Sequence, residues 1–320
     1  MEESDLKQVI ARCGEDYVAK RLQIQVEHSA KVLGPGLGYF HFENLDWAYD
    51  LLGKMVKLLG GWQRGFSNIK SHKIVINRVE IGRLPRAFNG LRILHLSDLH
   101  LDAFEGMGTH VGRLCSALNC DMALITGDYR FHTHGNYYSV FREIESLTKL
   151  LDCKYGCYGI LGNHDFLEFV PKLEAHGIRI LLNESVTLTK EGEQFWVVGL
   201  DDAHFYGLHD YGAGFSKVPE GAMRILMIHS PETLEDAYNY GTDFVVTGHT
   251  HGGQFCLPGS IPLWLNASCA RKYCRGQWDY RGMPGYTSNG TGSSGLPLRF
   301  NCPPEIVVHY LVCGESSKSQ

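Results

Sequence analysis

Five short apolar runs in this chain each stop at a cluster of Asp, His or Asn, and this regularity limits the fold more than any other feature. Leu91–Ser97 stops at Asp98-Leu99-His100, and Met122–Thr126 at Gly127-Asp128. Cys157–Leu161 stops at Gly162-Asn163-His164-Asp165, Arg224–Ile228 at His229, and Phe244–Thr247 at Gly248-His249-Thr250-His251. Unbroken apolar runs of this length read as strands buried on both faces. Around them, Val111–Leu118, Tyr137–Leu150 and Pro231–Tyr238 read as helices, and Lys73–Ile81, Phe195–Leu200 and Ile306–Val312 as further strands. Strands alternating with helices specify an α/β domain. Ligands bind such sheets outside the carboxyl ends of the strands, so the five clusters can meet along one edge.

Together the clusters offer the carboxylates of Asp98 and Asp128, the amide of Asn163, and the imidazoles of His100, His229, His249 and His251, besides His164. Mixed nitrogen and oxygen donors suit divalent transition ions. Seven donors are too many for one catalytic ion that must keep an open position. They suit two ions about 3.5–4 Å apart that share a carboxylate. Glycines 127, 162 and 248 let the backbone turn and approach such ions closely. A single His after a strand is usually structural, and a single Gly-Asp is usually a turn. Five clusters at five strand ends outweigh that bland reading. His95 and His309 lie inside apolar strands and read as core histidines, whereas His132, His134 and His204 read as solvated loop positions. His28, His41, His72, His110, His176 and His209 have no patterned partners.

The chain has a formal charge of −5, with 44% hydrophobic and 20% charged residues. That is globular composition, and it argues against a protein that coats nucleic acid. No apolar run approaches the length of a membrane span, and the start, Met1-Glu2-Glu3-Ser4-Asp5, is acidic where a secretory signal is basic. A cytoplasmic location is the expectation. The ten cysteines, none in a C-x-x-C pair, then read as free thiols, and Cys269 with Cys274 are too few for a zinc knot.

Residues 1–33 are polar and helix-prone and end at a breaker, Leu33-Gly34-Pro35-Gly36. From Asn44 to Trp62, Ala48, Leu51, Leu52, Met55, Val56, Leu59 and Trp62 recur at helical spacing opposite Asp46, Asp50, Lys54 and Lys57. The expectation is one amphipathic helix whose apolar face docks on the following domain; a helix lying in a membrane interface between Trp47 and Trp62 is the alternative. The domain reading is an N-terminal helical extension over 1–72, with the helix at 44–62, a domain over 73–313 and a disordered tail over 314–320. The Gly/Ser-rich stretch 283–301, bounded by apolar strands, reads as a structured loop.

The motif order D-x-H, G-D, G-N-H-D, H and G-H-T-H over Leu91–Val312 resembles that of the calcineurin-like metallophosphoesterases. The runs Gly248–Gln254, Gly295–Phe300 and Cys302–Ile306 resemble one branch, the bacterial phosphodiesterases that hydrolyse UDP-2,3-diacylglucosamine in lipid A synthesis. The resemblance implies a four-layer α/β sandwich, two mixed sheets flanked by helices. It implies two divalent cations, manganese first with iron, zinc or magnesium as alternatives. Asp98, His100 and His251 would hold one, Asn163, His229 and His249 the other, with Asp128 bridging them. His164 would stand beside the metals as a catalytic group oriented by Asp165. A metal-bridging hydroxide would attack phosphorus in line, and His164 would protonate the leaving oxygen or stabilise the phosphoryl charge. The second motif, Gly127-Asp128-Tyr129-Arg130, departs from the G-D-x-V-D-R-G form of the phosphoprotein phosphatases, which argues against a phosphoprotein substrate.

The expected substrate is thus a nucleotide-linked lipid, UDP-2,3-diacylglucosamine, cleaved to a lipid monophosphate and UMP, with peripheral contact to the inner membrane. Arg271, Lys272, Arg275, Arg281 and Arg299, among Tyr273, Trp278, Tyr280 and Tyr286, suggest phosphate forks beside a nucleobase, with a solvated loop as the counter-reading. One alternative substrate class is soluble or cyclic nucleotides or nucleic acid. A further alternative is a non-catalytic scaffold of the same fold, which should have lost some of these donors.

Overall fold

The central parallel strands over 93–96, 122–125, 225–227 and 244–247 are buried on both faces, and this layering is what carries the polar loops to one edge. The computed structural model describes residues 2–26, 36–38, 45–133 and 135–314. The breaker residues 33–35, Asn44, His28, His41, His134 and the tail from 315 onward lie outside the described residues.

Four helices come first: α1 (Glu3–Cys13), α2 (Glu15–Val26), α3 (Asp46–Leu58) and α4 (Trp62–Asn68). The first sheet is then begun by β1 (Lys73–Ile81), β2 (Arg92–Leu96), β3 (Met122–Ile125), β4 (Cys157–Gly159) and β5 (Ile178–Ile180), with helices α5 (Met107–Ser116), α6 (Tyr138–Thr148) and α7 (Phe169–Ala175) between strands. The second sheet takes β6 (Glu184–Lys190), β7 (Glu193–Gly199), β8 (Arg224–Met227) and β9 (Phe244–Thr247), with α8 (Tyr211–Phe215) and α9 (Leu234–Asn239). A small hairpin follows, β10 (Cys256–Leu257) and β11 (Ile261–Pro262), then β12 (Gly276–Tyr280) and β13 (Met283–Thr287). The last strand, β14 (Glu305–Cys313), returns to the first sheet.

The sheet orders are β1-β14-β2-β3-β4-β5 and β12-β13-β9-β8-β7-β6. Both are mixed: β14 runs parallel to β1 and antiparallel to β2, and β7, β8 and β9 are parallel while β6 and β12 are antiparallel to their neighbours. Ile93, Leu124 and Val307 of the first sheet pack against Phe195, Ile225 and Val246 of the second. Helices α5 to α7 cover the outer face of the first sheet, and α8 and α9 that of the second. The expected four layers are what the structure shows. The short strands β5 and β6, helix α7 and the β12–β13 pair escape the sequence reading, because three- to seven-residue elements carry too little periodicity.

The stretch from 45 to 62 is not the single helix expected. It breaks at Leu59-Gly60-Gly61, where Gly60 takes φ 70°, and restarts as α4. Its apolar face docks only in part. Ala48, Tyr49 and Leu52 border a cleft, whereas Trp47, Leu51, Met55 and Leu58 form an exposed stripe, Leu58 being 88% accessible. The first two helices pack on the core through Val9 and Val18.

The two core histidines are buried as expected, in one directed chain between the sheets. Asn77 Nδ2 donates to His309 Nδ1 at 2.9 Å, the other His309 nitrogen donates to His95 Nδ1 at 3.1 Å, and His95 Nε2 donates to Thr126 Oγ1 at 3.0 Å. Every ring nitrogen is committed, so neither ring can take a second proton. Burial pushes His95 down to about 3 and His309 well below its usual value. Unfolded histidine titrates near 6.5, so below that pH the unfolded chain binds protons the folded chain refuses, and stability falls as pH falls toward 3. Each such group contributes a slope of up to about 1.4 kcal/mol per pH unit. Urea unfolding between pH 6.5 and 4.5 should therefore show a shallower pH slope in His309→Gln; an unchanged slope would mean that His309 titrates freely.

Candidate metal centre

Five strands end at the same edge, and the turns that follow place their donors in two groups that share Asp128. In the first, His251 Nε2 lies 3.4 Å from Asp98 Oδ1 and 3.2 Å from His100 Nε2, which is 3.7 Å from Asp128 Oδ2. Donor atoms of Asp98, His100, Asp128 and His251 all lie within 4.8 Å of one another, and all four residues are buried. In the second, Asn163 Oδ1 is 2.9 Å from His229 Nε2 and 3.0 Å from His249 Nδ1, and His229 Nε2 is 3.4 Å from Asp128 Oδ2. The seven candidate donors are thus brought together.

The backbone is bent to achieve this. Asp98, His100, Asp128, His249 and His251 all adopt left-handed φ, between 41° and 67°. Non-glycine residues rarely do so, and such strain concentrates at functional sites. Close approach also demands glycine: a Cβ at Gly162 would strike Asp128 Oδ1, and one at Gly248 would strike Asp98 Oδ2.

Electrostatics favour bound cations. Burial pushes Asp98 and Asp128 up to about 6, so ionising both in this pocket is costly unless positive charge sits between them. Burial pushes His100 down to about 3 and drives His249 and His251 well down, leaving neutral rings, the form that binds metal. His229 departs from this: burial lowers it, but Asp128 and Asp98 outweigh burial and raise it. The imidazoles are oriented from behind, His100 by Arg130 O and His229 by Thr126 O, each 2.6 Å from Nδ1, which leaves Nε2 facing Asp128. The buried His249 Nε2 has no hydrogen-bond partner among the described residues. The donor set therefore fits a pair of divalent cations.

His164 stands beside this group. Its backbone N–H donates to Asp128 Oδ1 at 2.9 Å, and its Nε2 is 3.9 Å from Asp128 Oδ2. The expectation that Asp165 orients the His164 ring needs correction. The Asp165 carboxylate accepts from Asp128 N, Tyr129 N and Gly162 N at 2.7, 2.9 and 2.9 Å, and so clamps two site loops together.

Three further sequence expectations change. His204 is buried, not solvated. Its Nδ1 bonds Glu232 at 3.0 Å and its ring lies 3.9 Å from that of His249. Arg299 is neither a phosphate fork nor a surface group; fully buried, it donates to the carbonyls of Asn289, Gly292 and Cys302. Arg271 and Arg275 donate to Pro262 O and Ser260 O and brace the β10–β11 hairpin, while Arg281 lies near Glu235 on the surface. Trp278 and Tyr286 are tied to Thr287 and Glu305. None of these groups is among the described residues lining the cleft. His132 is exposed.

That cleft, of about 400 Å³, has Asp128, Asn163, His164, His249 and His251 at its base. Its walls include Ala48, Tyr49 and Leu52 of α3 on one side and Phe255, Leu263 and Trp264 around the hairpin on the other. Sequence reasoning missed the hairpin wall; its signal was the apolar Ile261–Leu265 run inside a loop region.

A model of the calcineurin-like phosphoesterases matches residues 91–253. The chain is similar to the metallophosphoesterase YkuE of Bacillus subtilis, at 28% identity over 237 residues, 71% of this chain and 81% of that protein. It is similar to YkoQ of the same organism, also a metallophosphoesterase, at 27% over 256 residues, 77% of this chain and 93% of that one. It is similar to the phosphodiesterase YaeI of Escherichia coli, at 27% over 232 residues, 69% of this chain and 82% of that one.

Proposed function

The chain belongs to the calcineurin-like phosphoesterase family, and from that premise we propose that it is a two-cation hydrolase of a phosphodiester or pyrophosphate carried by an amphiphile, UDP-2,3-diacylglucosamine being the leading candidate, released as a lipid monophosphate and UMP. Asp98, His100 and His251 hold one cation, Asn163, His229 and His249 the other, and Asp128 both; manganese is the first candidate. Two such cations neutralise phosphoryl oxygens and acidify water at neutral pH. His164 reaches over the same base of the cleft, where it donates to a phosphoryl oxygen or to the departing oxygen. The filled donor set argues against a scaffold that has lost its chemistry.

One observation carries the amphiphile. The cleft above the donors is walled by apolar side chains, and its two lips continue outward as exposed hydrophobics. On α3 these are Trp47, Leu51, Met55 and Leu58, and around the hairpin Leu257, Ile261, Leu263 and Trp264. Lys54 and Lys57 lie on the flank of α3 beside the stripe, where they suit anionic headgroups. No helix among the described residues is long and apolar enough to cross a membrane. The lips instead suit a peripheral contact that presents the substrate's acyl chains to the cleft. The name of YaeI supports a second reading, a phosphodiesterase of broader scope.

The test is hydrolysis of UDP-2,3-diacylglucosamine in mixed micelles beside bis-p-nitrophenyl phosphate, cyclic nucleotides and single-stranded DNA. Fully burying one Leu or Met side chain is worth about 1.5–3 kcal/mol, so Leu51→Ser/Met55→Ser should cost about tenfold or more on the lipid. Loss on bis-p-nitrophenyl phosphate should stay within about twofold, since neither residue lies near the donors. Equal losses on both substrates would overturn the lipid reading and leave the broader phosphodiesterase.

A further inference from the structure

The loop that carries His164 is held from two sides. From inside, the Asp165 carboxylate clamps it to the Asp128 loop, as described above. From outside, the same loop meets α2. There Arg21, fully buried, donates Nη2 to the main-chain oxygen of Asp165 at 3.1 Å and Nε to Asp201 Oδ2 at 3.0 Å. Tyr17 donates to the same Asp201 oxygen at 2.7 Å, and Tyr206, whose ring lies under the guanidinium, donates to Asp165 O at 3.3 Å. One turn further along α2, Gln25 Oε1 accepts from Leu167 N at 2.9 Å while its Nε2 donates to Glu168 at 2.6 Å. Tyr17, Arg21 and Gln25 stand at i, i+4 and i+8, one stripe of the helix. The pair of helices is itself anchored to the fold, because Arg12 of α1 binds Glu174, Glu184 and Ile180 O.

A helix that only covered apolar surface would place apolar residues here, since taking an Arg–Asp pair out of water is costly. Two of these polar side chains instead reach main-chain atoms on either side of Phe166, just after His164. Both lie outside the matched segment 91–253. We propose that Arg21 and Gln25 are positioning residues for His164: the N-terminal helices fix the loop whose ring acts on the substrate. The inference rests on the reading of His164 given above. It assigns the extension a part in turnover, since misplacing a reacting group by 1 Å can cost about 10²-fold.

The test uses the full chain loaded with metal, and two thymidine 5′-phosphodiesters that differ only in leaving group, p-nitrophenolate or phenolate. Proton donation matters more for the more basic phenolate. The variants are Gln25→Met and the paired Arg21→Met/Asp201→Asn, which leaves no buried charge unpartnered, with His164→Ala alongside. Each α2 variant should lose about tenfold or more on the phenyl ester and under about threefold on the p-nitrophenyl ester, with KM and bound metal within about twofold. A merely structural role would lower both esters alike, through less folded or less metallated enzyme, and that result, or no loss at all, overturns the inference. Should His164→Ala separate the esters while the α2 variants do not, the inference alone fails. Should His164→Ala itself treat both esters alike, the reading of His164 fails and takes the inference with it.

Discussion

Asp128→Asn should leave a folded protein that binds at most one divalent cation per chain and turns over bis-p-nitrophenyl phosphate at least about 10³-fold more slowly. Among the described residues, Asp128 is the carboxylate that faces both donor groups, with Oδ2 3.7 Å from His100 Nε2 and 3.4 Å from His229 Nε2. Asparagine keeps the shape and the oxygen that accepts from His164 N, and removes only the charge. A cation pair contributes several kcal/mol to phosphoryl transfer, and each 1.36 kcal/mol is tenfold, so a loss of about 10³-fold is the modest end. The stability of the same variant separates this from misfolding. Burial raises Asp128 toward 6, so at pH 7 its ionised form is held at a cost in the metal-free chain. Asp128→Asn should keep a cooperative melt without metal and gain less thermal stability than the parent on adding manganese. Full metal content with turnover within about tenfold of the parent would take Asp128 out of the shared position.

His164→Ala should do the opposite to the metal and nearly the same to the rate. Its hydrogen bond to Asp128 runs through the backbone N–H, which alanine retains. Both cations should stay bound while kcat on the phenyl ester of thymidine 5′-phosphate, whose leaving oxygen needs a proton, falls by about 10²–10⁴-fold, the usual range for a lost proton donor. Metal analysis on the same sample as the kinetics is decisive: undiminished turnover removes His164 from the chemistry, and a lost cation would make it a ligand.

The strand ends and the seven candidate donors were legible because a central strand covered on both faces leaves an unbroken apolar run, and its polar successors stand out. What sits behind the donors was not. His204 follows Asp201-Asp202 and reads locally as solvated, yet Glu232 and the ring of His249 bury it. Arg299 looks like a free guanidinium until its acceptors, main-chain oxygens at 289, 292 and 302, are seen. Asp165 was read as the partner of its neighbour, but its acceptors face backbone amides of another loop. For His204 and Asp165 decisive partners come from elsewhere in the chain, and for Arg299 from a loop that closes back on it, and spacing along a sequence carries no signal for either. The left-handed backbone at Asp98 and His251 was equally hidden, since no glycine marks it. The amphipathic pattern at 44–62 exposed the helix but not its interruption, nor which half of its apolar surface would stay bare.

The order of the first sheet has a consequence for how this protein is made. Its last strand, β14, is seated between β1 and β2, and carries the His309 that completes the buried pair with His95. During synthesis every donor from Asp98 to His251 is made before residues 305–313 exist to fill that place. The nascent chain thus holds an open slot in its main sheet while its carboxylates and imidazoles already exist, and the frame closes around them only when residues 305–313 take that place.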